Sequence, residues 1–192
     1  LLNLIPGFGI FTGVVAGCVV DAELFGGNGE VVGAIFSDIT CRVIFEEPVT
    51  GTPAGDITNC VFEGIASRTV LGALRLDERN VDRCKFTDVT VSSDVVLELT
   101  GNGTILDCTF ESCGNQYVVR IPTTGSITDC VFSGNFSTTA IVDVAPGGGG
   151  AIGQLSRCTF AGNRCESPIR LNGGALPSNV YETAANSIFR GN

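Results

Sequence analysis

The chain has 192 residues, with 20 Asp and Glu against 11 Lys and Arg, and it lacks His, Met and Trp. A net charge of -9 repels nucleic-acid phosphates, and no nucleic-acid-binding motif occurs, so that partner class is excluded. With 44% hydrophobic residues the chain has ample core for a single domain over 1–192, and disorder is excluded.

Leu1 to Val20 carries no charge and places Gly9, Gly13 and Gly17 at helix-packing spacing, which raises the question of a membrane span. Pro6 and four glycines make a poor helix. Phe8-Gly9-Ile10 followed by Val15 to Val20 instead repeats the two-strand pattern of the later chain. Residues 1–20 are therefore read as a first coil or N-terminal cap, with no membrane span. The lack of a basic stretch also speaks against a signal peptide. Cys18 and Cys41 then fall about one turn apart and are assigned to the same cysteine row as the copies that follow, although the Cys41 turn fits worst.

From residue 57 a phrase recurs: an aliphatic residue, two spacers, Cys, one spacer, Phe. It reads Ile57-Thr58-Asn59-Cys60-Val61-Phe62, then Val81 to Phe86, Ile105 to Phe110, Ile127 to Phe132 and Leu155 to Phe160. A last copy, Asn186-Ser187-Ile188-Phe189, has Ser in the Cys position. Cys and Phe two apart share one face of a strand, and both residue types favour burial. The phrase predicts an internal ladder of Cys18, Cys41, Cys60, Cys84, Cys108, Cys130 and Cys158. A second ladder of Phe62, Phe86, Phe110, Phe132, Phe160 and Phe189 is expected beside it.

A second strand precedes each copy as an apolar–charged–apolar triplet: Leu74-Arg75-Leu76, Leu97-Glu98-Leu99, Val119-Arg120-Ile121, Val142-Asp143-Val144 and Ile169-Arg170-Leu171. The central charges alternate in sign, so stacked neighbours attract. Extra residues enter at Pro146 to Gly150 and around Gly173-Gly174, at one corner of the coil. Self-similarity at this period predicts an all-β fold, a right-handed parallel β-helix of about eight coils with roughly 24 residues each.

Most ladder cysteines are expected to be buried thiols, because in-register neighbours sit wider apart than a relaxed disulfide. Cys113 and Cys165 lie off the ladder and are the disulfide candidates. No zinc-type spacing occurs and no cofactor or metal is expected. Two sequons, Asn102-Gly103-Thr104 and Asn135-Phe136-Ser137, make Asn102 and Asn135 candidate glycosylation sites.

Phe132-Ser133-Gly134-Asn135, Phe160-Ala161-Gly162-Asn163 and Phe189-Arg190-Gly191-Asn192 match a Phe-x-x-Asn motif. Gly149-Gly150-Ala151-Ile152 and Gly173-Gly174-Ala175-Leu176 match its Gly-Gly-Ala-aliphatic partner. The pair, confined to the C-terminal third, resembles the repeats of polymorphic outer membrane proteins and of pectin-lyase-like β-helix proteins. The resemblance implies a right-handed β-helix displayed outside the cell and used for adhesion or as a stalk. The motif Asn is expected to turn the chain, and the glycines to form a tight corner.

Chemistry is sparse. The residues before Cys in successive coils are Arg83, Asp107, Asp129 and Arg157, so Asp107 and Asp129 form the best paired-carboxylate row, suited to acid/base work, to glycan contact or to a calcium site. Turns favour Asp and Asn in any case, and no catalytic residue is assigned. The spacers Val61, Lys85, Thr109, Val131, Thr159 and Ile188 form an outward row, mostly β-branched, suited to a partner surface. The chain starts inside an apolar strand pattern and stops just after a phrase, which reads as a piece of a longer surface protein or as ends covered by neighbouring subunits. The expected function is a non-catalytic extracellular or cell-surface structural or adhesive solenoid that associates with itself. The alternative is a carbohydrate-active enzyme or glycan-binding β-helix using Asp107 and Asp129.

Overall fold

The computed structural model describes residues 10–17, 19–25, 30–46, 55–67, 73–76, 79–92, 94–122, 124–145, 154–171, 184–185 and 187–191. Among them there are strands and no helix, so no helix is long and apolar enough to cross a membrane. Every strand pairing is parallel, and the fold is a parallel β-solenoid. The regular part, with complete phrases and about 24-residue spacing, comprises about five turns. The strand stacks continue beyond it, to eight members in two of the three sheets.

Each turn visits the three sheets in order. The first sheet takes the aliphatic residue of the phrase, as in Val81–Asp82 and Thr104–Leu106. The second takes the Phe, as in Lys85–Thr87 and Thr109–Glu111. The third holds the charged triplets, as in Val95–Leu99, Gly114–Pro122 and Phe136–Ala145.

Two left-handed residues bound the second-sheet strand. At the first bend, before Cys or in one turn before Ala34, they are Gly33, Asn59, Arg83, Asp107, Asp129 and Arg157. Five positions later they are Asp38, Gly64, Asp88, Ser112, Gly134 and Gly162. A residue at φ near +55° reverses the direction in which the next side chain points, so the chain bends sharply with no loop. Gly adopts this conformation freely and Asn or Asp tolerates it, but Arg83 and Arg157 are strained there. The N–H of each bend is not orphaned: that of Arg83 donates to Leu106 O at 2.9 Å, and that of Asp107 to Thr128 O at 3.0 Å.

The core follows from the phrase. Phe36, Phe62, Phe86, Phe110, Phe132, Phe160 and Phe189 form one column with ring centroids 4.7 to 5.0 Å apart. Cys60, Cys84, Cys108, Cys130 and Cys158 are buried beside it as free thiols. Cys41 is not in that row. The strand Val14–Ala16 pairs with Ile35–Ser37 so that Val15 and Phe36 hold the Phe position, which leaves Gly13 and Ala34 in the Cys row. Cys41 pairs with Ser67 on the third sheet, and Cys18 lies outside the described residues. The register is fixed by burial of Val31, Ala34 and Phe36, a copy of the phrase with Ala in place of Cys.

Four further expectations fall on residues outside those described: Leu1 to Gly9, the Pro146 to Gly150 loop, both Gly-Gly-Ala segments and Asn192. The part of the N-terminal segment that is described forms strands, Ile10–Phe11, Val14–Ala16 and Val19–Phe25.

Candidate functional site

Chemistry-bearing side chains gather in three places, each produced by the rung geometry. At the first bend the peptide N–H after the left-handed residue turns inward, and the thiols receive it. Cys60 N donates to Cys84 Sγ at 3.4 Å, Cys84 N to Cys108 Sγ at 3.4 Å, and Cys158 N to Ser187 Oγ at 3.2 Å. Each thiol in turn donates to carbonyls, as Cys84 does to Ile57 O and Asp82 O. The row is therefore a hydrogen-bonding element as well as space-filling. Hydrogen bonding to neighbouring thiols, then burial, holds Cys60, Cys108 and Cys158 above the ordinary thiol range. Hydrogen bonds from the same neighbours favour a thiolate at Cys84 and Cys130. These two are nonetheless buried and donate S–H to carbonyls, which only a neutral thiol does. The row is one of unreactive thiols.

The second bend is served the same way by Asn. Cys113 N donates to Asn135 Oδ1 at 2.9 Å and Asn135 N to Asn163 Oδ1 at 3.0 Å. The Asn135 Nδ2 donates to Phe110 O and to Asn163 Oδ1. In the Phe-x-x-Asn motif the bend is thus made by Gly134 or Gly162, and the Asn lies inside. Asn135 is only 1% exposed and its amide is occupied, so this sequon is closed in the folded chain. Asn102 is exposed. Cys113 sits one rung below Asn135 in the same row, buried and donating to Phe86 O and Glu111 O. Burial pushes its thiol up to about 12. Cys165 is half-buried, and both cysteines are free rather than bridged.

Asp107 and Asp129 occupy neighbouring rungs at the first bend, beside a shallow depression shared with Asp82, Arg83 and Leu106. Both are left-handed bend residues, so backbone geometry accounts for their side-chain type. Arg157 clamps Asp129 through two bonds of 2.7 and 2.6 Å. The Arg157 guanidinium holds the Asp129 carboxyl below the usual range. A carboxylate held ionised in an exposed, solvated position is poorly placed for proton transfer.

The triplet charges pair in register on the third sheet: Glu46 with Arg75, then Glu98, Arg120, Asp143 and Arg170. Arg120 meets Asp94 at 3.1 Å, Asp143 at 3.2 Å and Glu98 at 3.4 Å, while Arg75 reaches Glu98 and Arg170 reaches Asp143. The row is far less exposed than an outward row should be; Asp143 is 1% exposed. Val96 and Leu97 both point into the core, as do Val118 with Val119 and Ile141 with Val142. The outward side chains on either side of this double inward step converge. Val95, Tyr117 and Ala140 make a separate buried cluster, and the guanidinium of Arg120 lies 4.6 Å and that of Arg170 5.3 Å from the Tyr117 ring centre. Burial raises the Glu98 carboxyl, with Arg120 and Arg75 pulling it down and Asp94 adding to the rise. Burial opposes the Arg120 charge, but Asp94, Asp143 and Glu98 outweigh it and raise its pKa.

Three carboxylates (Asp94, Glu98, Asp143) and three guanidinium groups (Arg75, Arg120, Arg170) leave this elbow balanced in charge and paired within itself. Its Tyr117 and Asp94 were not singled out in the sequence. The legible signal was the pair of apolar residues just before the charge, Val96-Leu97, Val118-Val119 and Ile141-Val142. Among the described residues no cluster of three or more metal-type ligands occurs. No protein-family model matches this chain, and neither does any curated protein.

The outer face of the second sheet is unlike these closed clusters. Lys85 pairs in register with Val61 and Thr109, Thr109 with Val131, Val131 with Thr159, and Thr159 with Ile188. The pairing of Val14 with Ile35 and of Ile35 with Val61 extends the row. Val14, Ile35, Lys85, Val131 (38%) and Ile188 are exposed.

Proposed function

We propose that this chain is a non-catalytic structural or adhesive solenoid that acts through the outer face of its second sheet. The observation that carries this reading is the contrast in commitment: the ladder thiols, the Asn135 and Asn163 amides, Asp129 and the elbow charges are engaged within the fold, whereas the mostly β-branched row from Val14 to Ile188 is in register, with Val14, Ile35, Lys85, Val131 and Ile188 exposed and Val61, Thr109 and Thr159 half-buried. A mostly β-branched ridge on parallel strands, interrupted by Lys85, is suited to a matching surface, above all that of a second copy. Display outside the cell is part of the proposal and rests on the Phe-x-x-Asn resemblance to polymorphic outer membrane protein and pectin-lyase-like repeats. The buried Asn135–Asn163 ladder supports that likeness, since it gives the motif Asn one role on successive rungs.

Sedimentation velocity and negative-stain electron microscopy across a concentration series test the reading. Lateral assemblies that grow with concentration, and are lost when Ile35 and Val131 are both replaced by Lys, are the expected result. Isolated rods at every concentration would sink it.

A further inference from the structure

Phe136 is the one ring of its kind in the third sheet's first outward row. That row runs Ala66, Thr90, Gly114, Phe136 and then Arg164, each paired with the next. Phe136 is 47% exposed, although all but one of the other described Phe side chains are at least partly buried. Its two neighbours along the axis are opposite in kind. On one side the Arg164 guanidinium lies 5.7 Å from the ring centre. On the other side is Gly114, which has no side chain and cannot gain one: a Cβ there would meet Phe136 O at 2.1 Å.

The missing side chain leaves a slot. Its walls are the open face of Phe136 and the side chain of Thr90, its floor is the Gly114 backbone, and Ser112 and Asn115 flank it. Thr90 and Phe136 are two rungs apart, about 10 Å at the usual strand spacing. A ring between them needs about 3.5–4 Å to each wall, so the slot accepts one six-membered ring and little more.

We propose that this slot binds a single pyranose ring of a neutral glycan. One wall is a phenyl face, which takes the C–H face of a sugar, and the rim carries the Ser112 hydroxyl, the Thr90 hydroxyl, which donates to Ile65 O at 3.5 Å and can still accept, and the Asn115 amide, whose Nδ2 donates to Val91 O at 2.6 Å and whose Oδ1 can accept from a sugar hydroxyl. The Arg164 guanidinium fixes the Phe136 ring from behind, so the platform is formed before the ligand arrives. The site lies around the second bend, separate from the corner acids Asp107 and Asp129 and from the second-sheet row, and it stands whether or not that row self-associates.

The chain has no Trp, so Phe136→Trp puts a unique fluorophore in the slot while keeping a stacking face. Cellohexaose, xylohexaose, maltohexaose and chitohexaose are titrated on the order of 10 mM, the range of a weak single-ring contact, with p-cresol as the stand-in for a protein side chain. A saturable emission change with at least one oligosaccharide is expected. Saturation-transfer NMR of the unmodified chain with that sugar should give a signal that falls at least about tenfold in Phe136→Ala. No emission change with any of the four sugars overturns the proposal, as does a transfer signal that survives in Phe136→Ala. A response to p-cresol alone overturns it in favour of a protein side chain as the occupant.

Discussion

The second-sheet side of each turn and the third-sheet side solve the same packing problem in opposite ways. Between Gly33 and Asp38, and in every described turn through Arg157 and Gly162, two left-handed residues stand five apart with Phe at the same place between them. The third-sheet side has no such fixed length. Its strand is split in two turns, into Ala66–Ser67 with Leu74–Leu76 and Thr90–Val91 with Val95–Leu99, and it is bulged between Asn115 and Tyr117. One side sets the pitch by backbone geometry and inward hydrogen bonds. The other absorbs changes in length and closes itself with paired charges. Regularity and adaptability are thus assigned to different flanks of one coil.

Substitutions can break or sharpen that contrast. The largest effect should come from Phe110→Ala, which removes a ring touching both Phe86 and Phe132. A loss of about 3–5 kcal/mol in urea unfolding is expected, against a change within about 0.5 kcal/mol for Phe136→Ala on the exposed row. Next, Asn135→Ala strips three inward side-chain bonds, with Cys113 N, Phe110 O and Asn163 Oδ1, from the second bend and should cost about 2–3 kcal/mol. Asp143→Asn weakens the links to Arg120 and Arg170 on the adaptable side, and about 2 kcal/mol is expected. If Asp143→Asn costs clearly more than Asn135→Ala, the fixed side is not the one that holds the fold.

Smaller effects have the opposite sign or a pH dependence. Arg83→Gly relieves a left-handed side chain and should raise the urea midpoint, a gain of up to about 1 kcal/mol. Glu98, raised by burial, binds its proton more tightly folded than unfolded. Its contribution to stability therefore declines as pH rises from the ordinary carboxylate value through its raised one, and Glu98→Gln should remove that decline from a pH series of unfolding curves. The smallest effect is kinetic: among the cysteines whose side chains are described, a thiol reagent at mildly alkaline pH should modify half-buried Cys165 first and reach Cys113, pushed up to about 12, and the ladder thiols only on unfolding.

The solenoid was legible because its repeat is written in residues that must be inside, and the Phe column from Phe62 to Phe189 follows directly. The triplet charges also fell into register, since alternation of sign and burial of their neighbours both select it. Cys41 misled because Cys was taken as the marker of the phrase. In the second coil Val31-Val32-Gly33-Ala34-Ile35-Phe36 carries the phrase with Ala, and the Phe was the truer marker. Burial of Asn135 was hidden by its sequon, since a polar side chain that serves an inward-facing peptide looks the same in sequence as one that faces water. Arg83 and Arg157 gave no sign of left-handed geometry, because Arg has no local preference for it; only their alignment with Asn59, Asp107 and Asp129 did.

The Phe column has a consequence for light as well as for packing. Seven rings lie nearly parallel, with successive planes within 10° of each other at a constant repeat, in a chain with no Trp and two Tyr. Transitions of identical chromophores held in such an array couple, and the coupling vanishes when the array loses its order. Near-ultraviolet circular dichroism of the phenyl bands is therefore a built-in reporter of rung alignment, readable without any label and distinct from the backbone signal that reports only strand content.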